Sequence, residues 1–247
     1  MAPTTDGGYV LVGQSNSDGE GAEDGYLIKV SAQGEEIWSQ TFGRPFEDRL
    51  FSVDQSADSG FVLTGTTTNL GSGNRDAYLV KASESGDLVW MQAFGEEQDD
   101  VGHAVRQTSD RGFIVTGYTK SFDANNYDTW LIKTDEAGEL QWQKFYGESG
   151  DDRTIYREQT DDGGYIMTGY TTGYDSTGWD VFLVRADFSG AVTWRRTFGG
   201  MADDTGYTVR QTSDGGSILT GETYSSGEGG GDMYVIKVNQ DGDIIEP

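Results

Sequence analysis

Short apolar runs bounded by glycine and acidic turns recur along this chain at a fixed interval. The run Tyr9-Val10-Leu11-Val12-Gly13 returns as 61–65, 113–117, 165–169 and 217–221, always 52 residues on. A second run opens with Asp24, Asp76, Asp128, Asp180 and Asp232. Two residues later comes an aromatic (Tyr26, Tyr78, Trp130, Phe182, Tyr234) and five later a Lys or Arg. A glycine turn follows at Gly34, Gly86, Gly138, Gly190 and Gly242. It leads to Trp38, Trp90, Trp142 and Trp194, with Glu246 at the fifth Trp position. Runs of this length, rich in β-branched and aromatic residues and separated by Gly/Asp/Ser/Asn turns, predict β-strands, and no helical period competes.

Each unit therefore offers four strand segments, A to D. Segment A covers 49–55, 101–107, 153–159 and 205–211 and ends in Gln55, Gln107, Gln159 or Gln211. Four antiparallel strands per repeat of this length are the mark of a β-propeller blade. The expectation is an all-β fold: a five-bladed β-propeller of four-stranded antiparallel blades forming a single domain over 1–247. The blades fall at about 1–47, 48–99, 100–151, 152–203 and 204–247. Residues 1–5 look too few for a segment A, and the last D strand is short. The expected first blade is therefore incomplete and the last strand truncated, leaving an edge to be closed by another chain or by further blades of a larger propeller, with a complete five-bladed ring containing one thin blade as the alternative.

The units Thr160-Asp161-Asp162-Gly163-Gly164-Tyr165, Asp180-Val181-Phe182-Leu183-Val184-Arg185 and Gly190-Ala191-Val192-Thr193-Trp194 carry a resemblance. They look like the β-propeller repeat of bacterial and archaeal surface proteins, and the likeness covers nearly all of the chain. Segments C and D are also similar to the tryptophan-docking repeats of quinoprotein-type propellers. The resemblance implies a surface or secreted location and leaves the function open, because a fold hosts many functions.

Composition narrows the partners. With 42 acidic and 17 basic residues, the formal charge of −25 would repel a phosphate backbone and disfavours nucleic acid. No apolar run is long enough to insert in a membrane as a helix, and Met1 is followed by a polar segment with no signal-peptide core. The absence of Cys removes disulfides and thiolate chemistry. The acid load with few lysines fits either a halophilic coat or a surface on which some Asp residues bind Ca²⁺.

A position repeated in every unit serves what every blade needs, so a single site must come from residues that break the repeat. Asp24, Asp76, Asp128, Asp180 and Asp232 are read as turn caps, with Ca²⁺ ligation as the alternative. The paired acids Glu47/Asp48, Asp99/Asp100, Asp151/Asp152 and Asp203/Asp204 are expected to cap turns and to pair with Lys29, Lys81, Lys133, Arg185 or Lys237. The Trp series is expected to pack between blades. The lone His103, equivalent to Phe51, Ile155 and Tyr207, is expected to fill an apolar slot. No catalytic residue and no obligatory cofactor emerge.

Variation concentrates in the B–C loops, 14–23, 66–75, 118–127, 170–179 and 222–231. Loops on a rigid scaffold are where binding residues gather. Phe122, Tyr127, Tyr174, Trp179 and Tyr224, beside amides and carboxylates, suit a sugar ring. The leading expectation is a non-enzymatic, lectin-like binding or scaffold module engaging carbohydrate or protein. A glycoside-active propeller enzyme and a purely structural blade array are the alternatives.

Overall fold

The computed structural model describes residues 1–17, 19, 22–68, 70–122, 124, 126–147, 150–173 and 178–245. Among them there are nineteen strands and no helix. The first sheet is β1 (Ala2–Pro3), β2 (Tyr9–Ser15), β3 (Asp24–Val30) and β4 (Glu36–Phe42). The second is β5 (Asp48–Gln55), β6 (Phe61–Thr67), β7 (Asp76–Ala82) and β8 (Leu88–Phe94). The third comprises β9 (Asp100–Gln107), β10 (Phe113–Thr119), β11 (Asp128–Thr134) and β12 (Leu140–Tyr146). The fourth comprises β13 (Asp152–Gln159), β14 (Tyr165–Thr171), β15 (Asp180–Ala186) and β16 (Val192–Phe198). The fifth is β17 (Asp204–Gln211), β18 (Ser217–Thr223) and β19 (Asp232–Val238). Every sheet is ordered as its strands follow in sequence. The registers are antiparallel throughout, as in Gly65 opposite Tyr78 and Lys81 opposite Trp90.

One expectation is corrected. The first sheet has four strands, because Ala2 and Pro3 pair with Val10 and Tyr9 and so supply a two-residue segment A. The three-stranded sheet is the fifth, where Ile244 makes only an isolated bridge to Val238.

The chain forms two compact units, Met1–Asp123 with Ile132–Trp142, and Ala124–Leu131 with Gln143–Pro247. In the first, one core is built where the facing sides of two sheets meet. Val10 and Leu27 of the first sheet pack with Leu50, Val53, Phe61, Leu63, Tyr78 and Val80 of the second. In the second unit, Ile166, Val181 and Leu183 pack with Val209, Leu219, Ile236 and Val238 in the same way. Strands β6 and β7 are buried along their whole length, since neighbours cover both faces. This is why they read as continuous apolar runs.

Three devices repeat. The first is a bulge in each full-length segment A: the register steps between Leu50 and Ser52, Thr154 and Tyr156, and Gly206 and Thr208. Phe51, Ile155 and Tyr207 are the extra residues, and His103 holds the same place in β9. The slot expected to be apolar is thus a partly open bulge, with Phe51 and Tyr207 exposed, because a residue inserted into the ladder has no partner to bury it. The ring of His103 lies 6.1 Å from that of Phe51.

The second device is the tryptophan. Trp38 and Trp90 meet Phe61 and Phe113 of the following sheet edge-on at 5.8 Å, and Trp194 Nε1 donates to Gln240 O at 2.8 Å. The expected inter-blade packing is present. The third is a glutamine clamp. Gln107 Oε1 accepts from Ala57 N at 2.7 Å while its Nε2 donates to Arg111 O at 3.1 Å, joining two A–B turns, and Gln55 makes the same pair of bonds.

The expected pairing of the strand-C cations with the paired acids is also corrected. Lys29, Lys81, Lys133, Arg185 and Lys237 pair with Asp6, Asp58, Asp110, Asp162 and Asp214 of the A–B turns at 2.7–2.9 Å. Register decides this, because it brings each cation to the end of the sheet where its A–B turn lies. The acids Asp48, Asp100 and Asp204 do cap turns, accepting from Arg44 N, Glu96 N and Gly200 N.

Candidate binding platform on the loop ends of the second unit

In the first four sheets, the residue just before strand C holds one backbone role and a changing side chain. The carbonyls of Glu23, Arg75, Tyr127 and Trp179 accept the N–H of Asp48, Asp100, Asp152 and Asp204 at 2.6–2.8 Å, tying each sheet to the next. The backbone is therefore fixed while the side chain is free to vary, the arrangement that lets a scaffold display different chemistry.

In the first unit this position is spent on ion pairs. Glu23 accepts from Arg49 Nε at 2.5 Å, and Arg75 pairs with Asp99 at 2.9 Å. In the second unit it carries aromatic rings. The Arg153 guanidinium lies 3.9 Å from the centroid of Tyr127, over its face, and 6.0 Å from that of Tyr170. Tyr170 in turn stacks on Trp179 at 4.7 Å and 18°. Arg153 sits opposite Tyr170 in the β13–β14 ladder, so strand register places the cation between the rings. Cation–π and stacking contacts of this kind are each worth roughly 0.5–1.5 kcal/mol.

Carboxylates flank the row. Asp151 Oδ1 accepts from Tyr127 N at 3.2 Å and its Oδ2 from Arg153 at 3.0 Å. Asp203 Oδ1 accepts from Trp179 N at 3.0 Å and Asp203 O from Tyr224 N at 2.9 Å, so the Trp179 and Tyr224 loops meet at Asp203. Beyond, Tyr224 and Tyr207 both donate to Glu222, at 3.1 and 2.8 Å, and those bonds to a carboxylate push both phenols up. Trp179 is 44% exposed, leaving indole surface open to a ligand.

The structure thus brings together three of the residues singled out from sequence, Tyr127, Trp179 and Tyr224. Tyr174 lies outside the described residues. Phe122 belongs to the first unit, half-buried at φ 55°. Arg153, Tyr170 and Asp203 were missed. Neither Arg153 nor Tyr170 is unique in the repeat: Arg49 holds the place of Arg153 in the second sheet, with Val101 and Thr205 in others, and Tyr118 holds that of Tyr170 in the third, with Gln14, Thr66 and Glu222 in others.

Asp24, Asp76 and Asp180 are buried, and Asp76 accepts the Ser72 N–H. Burial pushes the Asp76 carboxyl up to about 6, with the charge of Asp100 adding to it. Burial does the same to Asp128, with Asp152 and Asp151 adding. Among the described residues, no group of three or more His, Cys, Asp or Glu side chains is placed to hold a metal ion, the five strand-opening acids included.

No protein-family profile and no curated protein matches the chain. Among solved structures it is similar to a protein provisionally assigned as a 6-phosphogluconolactonase from Bacteroides fragilis. That likeness is at 14% identity and TM-score 0.48, over 97% of this chain and 69% of that one. It is also similar to a provisionally assigned gluconolactonase, at 10% and 0.49 over 98% and 81%. A third is β-1,2-mannobiose phosphorylase from Listeria innocua, at 12% and 0.42 over 90% and 65%. By name these three are enzymes and not binding modules, at a similarity that carries no functional argument.

Proposed function

We propose that the protein is a carbohydrate-binding module of the cell surface or extracellular space, and that a neutral saccharide docks on the row Tyr127–Arg153–Tyr170–Trp179. The carrying observation is that a backbone position held constant by its bond to the next sheet becomes an aromatic platform in the second unit alone. A sugar presents an apolar C–H face that covers an indole or phenol ring, while its hydroxyls donate to carboxylates at the rim, here Asp151 and Asp203. Locking of the rings by Arg153 and by backbone bonds lowers the ordering cost of binding.

Binding to a glycan array followed by titration calorimetry tests this. Trp179→Ala and Tyr127→Ala are each expected to weaken the best ligand at least tenfold with folding intact. A wild-type protein that binds nothing on broad arrays, or that binds unchanged in both variants, overturns it.

A second reading, a glycoside-active enzyme, rests on Asp128 beside Asp152. One carboxyl is raised to about 6 next to a buried acid, directly after Tyr127, which suits general acid chemistry. Turnover of chromogenic glycosides abolished by Asp128→Asn would establish this reading in place of the first.

A further inference from the structure

One cavity recurs at the same place in the repeat. In the first unit it lies between the first and second sheets, at about 200 Å³, and again between the second and third, at about 250 Å³. In the second unit it lies between the fourth and fifth, at about 500 Å³. Each sits at the end of the sheets that carries the A–B and C–D turns, opposite the B–C loops. None shares a residue with the row Tyr127–Arg153–Tyr170–Trp179.

The walls are the same positions of successive units. A half-buried strand-D tryptophan forms one wall: Trp38, Trp90 or Trp194. A turn aspartate and its strand-C cation form another: Asp6 with Lys29, Asp58 with Lys81, Asp162 with Arg185. Within each pair the cation side chain is only 6–13% exposed and the carboxylate 59–65%, so the acid is what a ligand reaches first. The turn closes on one carboxylate oxygen. Asp58 Oδ1 accepts from Ser56 Oγ at 2.7 Å and Gly60 N at 3.0 Å, and Asp162 Oδ1 accepts from Thr160 Oγ1 and Gly164 N. Oδ2 is left for the cation, at 2.9 and 2.7 Å, and for the cavity.

The chemistry of these walls selects the ligand. An anion would meet the exposed carboxylate and a cation the ammonium or guanidinium behind it. Neighbouring hydroxyls of a neutral molecule use both, donating to the carboxylate and accepting from the cation. The indole offers a surface for the C–H face of a ring. Cavities of 200–250 Å³ suit one such ring, below the roughly 300–1,000 Å³ usual for larger ligands. In the second unit Ser217 stands where Phe61 and Phe113 line the other two, and Gly215 where Ser59 and Arg111 do. The smaller side chains widen that cavity enough for a second ring.

We propose that these cavities are a repeated set of saccharide sites. Each takes one ring of a neutral sugar between its indole and its aspartate–cation pair, and the Trp194 cavity takes two. The sites go beyond the platform proposed above and stand without it.

The indole N–H signals of Trp38, Trp90 and Trp194 in ¹H–¹⁵N spectra of the full chain report the three cavities separately. Trp38→Phe, Trp90→Phe and Trp194→Phe assign them. The probes are the methyl glycosides of glucose, galactose, mannose and N-acetylglucosamine in the millimolar range, with glycerol as a polyol that has no ring. At least one glycoside is expected to shift all three signals saturably. Val89→Arg fills the Trp90 cavity from an exposed position, and Asp58→Asn removes its charged acceptor. Each is expected to weaken the Trp90 response about tenfold or more. The Trp38 and Trp194 responses of the same molecule should persist, which shows the fold intact. Trp179→Ala is expected to change none of the three, so failure of the platform and failure of these sites are told apart. No saturable shift with any glycoside, an equal shift with glycerol, or a Trp90 response unchanged in either cavity variant overturns the proposal.

Discussion

Gly65 lies so close beneath the carbonyl oxygen of Arg49 that a methyl group on its Cα would overlap that oxygen. The approach comes from the bulge at Phe51, which turns the Arg49–Leu50 peptide onto β6, and Gly117 and Val101 repeat it in β10 and β9. Gly13 holds the same place in the first sheet but has nothing within 4 Å, because β1 is only two residues long. The pair makes an internal control. Gly65→Ala is expected to cost about 3 kcal/mol or more, since backbone must move, whereas Gly13→Ala should stay within about 0.5 kcal/mol of wild type. Urea denaturation of both variants measures the difference.

The A–B turns carry a related strain. The third turn residue has positive φ in each turn: Gly7, Gly163 and Gly215 near 80–86°, but Ser59 at 66° and Arg111 at 68°. A side chain in that region costs roughly 1–2 kcal/mol. Arg111→Gly keeps the carbonyl that accepts from Gln107. It removes only an exposed 3.9 Å pair with Glu136, of little energetic weight. Some of the gain is returned as unfolded-chain entropy. Arg111→Gly and Ser59→Gly are therefore each expected to stabilise by about 0.5–1 kcal/mol, raising the urea midpoint at unchanged slope.

The strands were legible because the 52-residue period repeats every turn glycine and every apolar run, so one unit checks another. What stayed hidden depends on register. Lys81 and Asp58 are 23 residues apart and meet only because β6 and β7 align Val62 with Lys81, beside the turn that carries Asp58. Neighbouring acids in sequence were a poorer guide than neighbours across a sheet. The two-residue β1 was invisible since Ala2 and Pro3 share no pattern with Asp48–Gln55. The aromatic loops were singled out by their variability, but Arg153 lies within a strand, and its contact with the Tyr127 ring and its place opposite Tyr170 come from tertiary packing and strand register.

Two groups of carboxyls make stability depend on pH in opposite senses. Asp76 and Asp128 are raised to about 6 in the folded chain, above the value of about 3.9 for an unfolded Asp. Between those values the folded state holds more protons, so stability falls as pH rises from about 4 through about 6. Burial also pushes Asp58 up, but bonds from Ser56, Lys81 and Gly60 outweigh it and bring the carboxyl to about 2. That contribution is present above about pH 4 and is lost as pH falls toward 2. Maximum thermal stability is therefore expected near pH 4–5. Asp76→Asn should flatten the decline between pH 4 and 7, by on the order of 1 kcal/mol after solvent screening. Melting curves across pH 3–8 for both proteins measure it.

Trp194 couples the fourth and fifth sheets in two separable ways. Its indole covers Gly242, where a side chain would strike the ring, and its Nε1 donates to Gln240 O at 2.8 Å. Trp194→Phe keeps an aromatic face on Gly242 and removes the donor, at an expected cost of about 1 kcal/mol. Trp194→Ala removes both and opens the core of Val181, Leu183, Leu219 and Ile236 at its margin, at about 3 kcal/mol. Hydrogen exchange locates the effect: amides of β18 and β19 should lose protection in both variants, more in the alanine form, while those of β6 and β7 should not change. Equal loss across all sheets would mean that the chain unfolds as one unit and that this junction is no weaker than the rest.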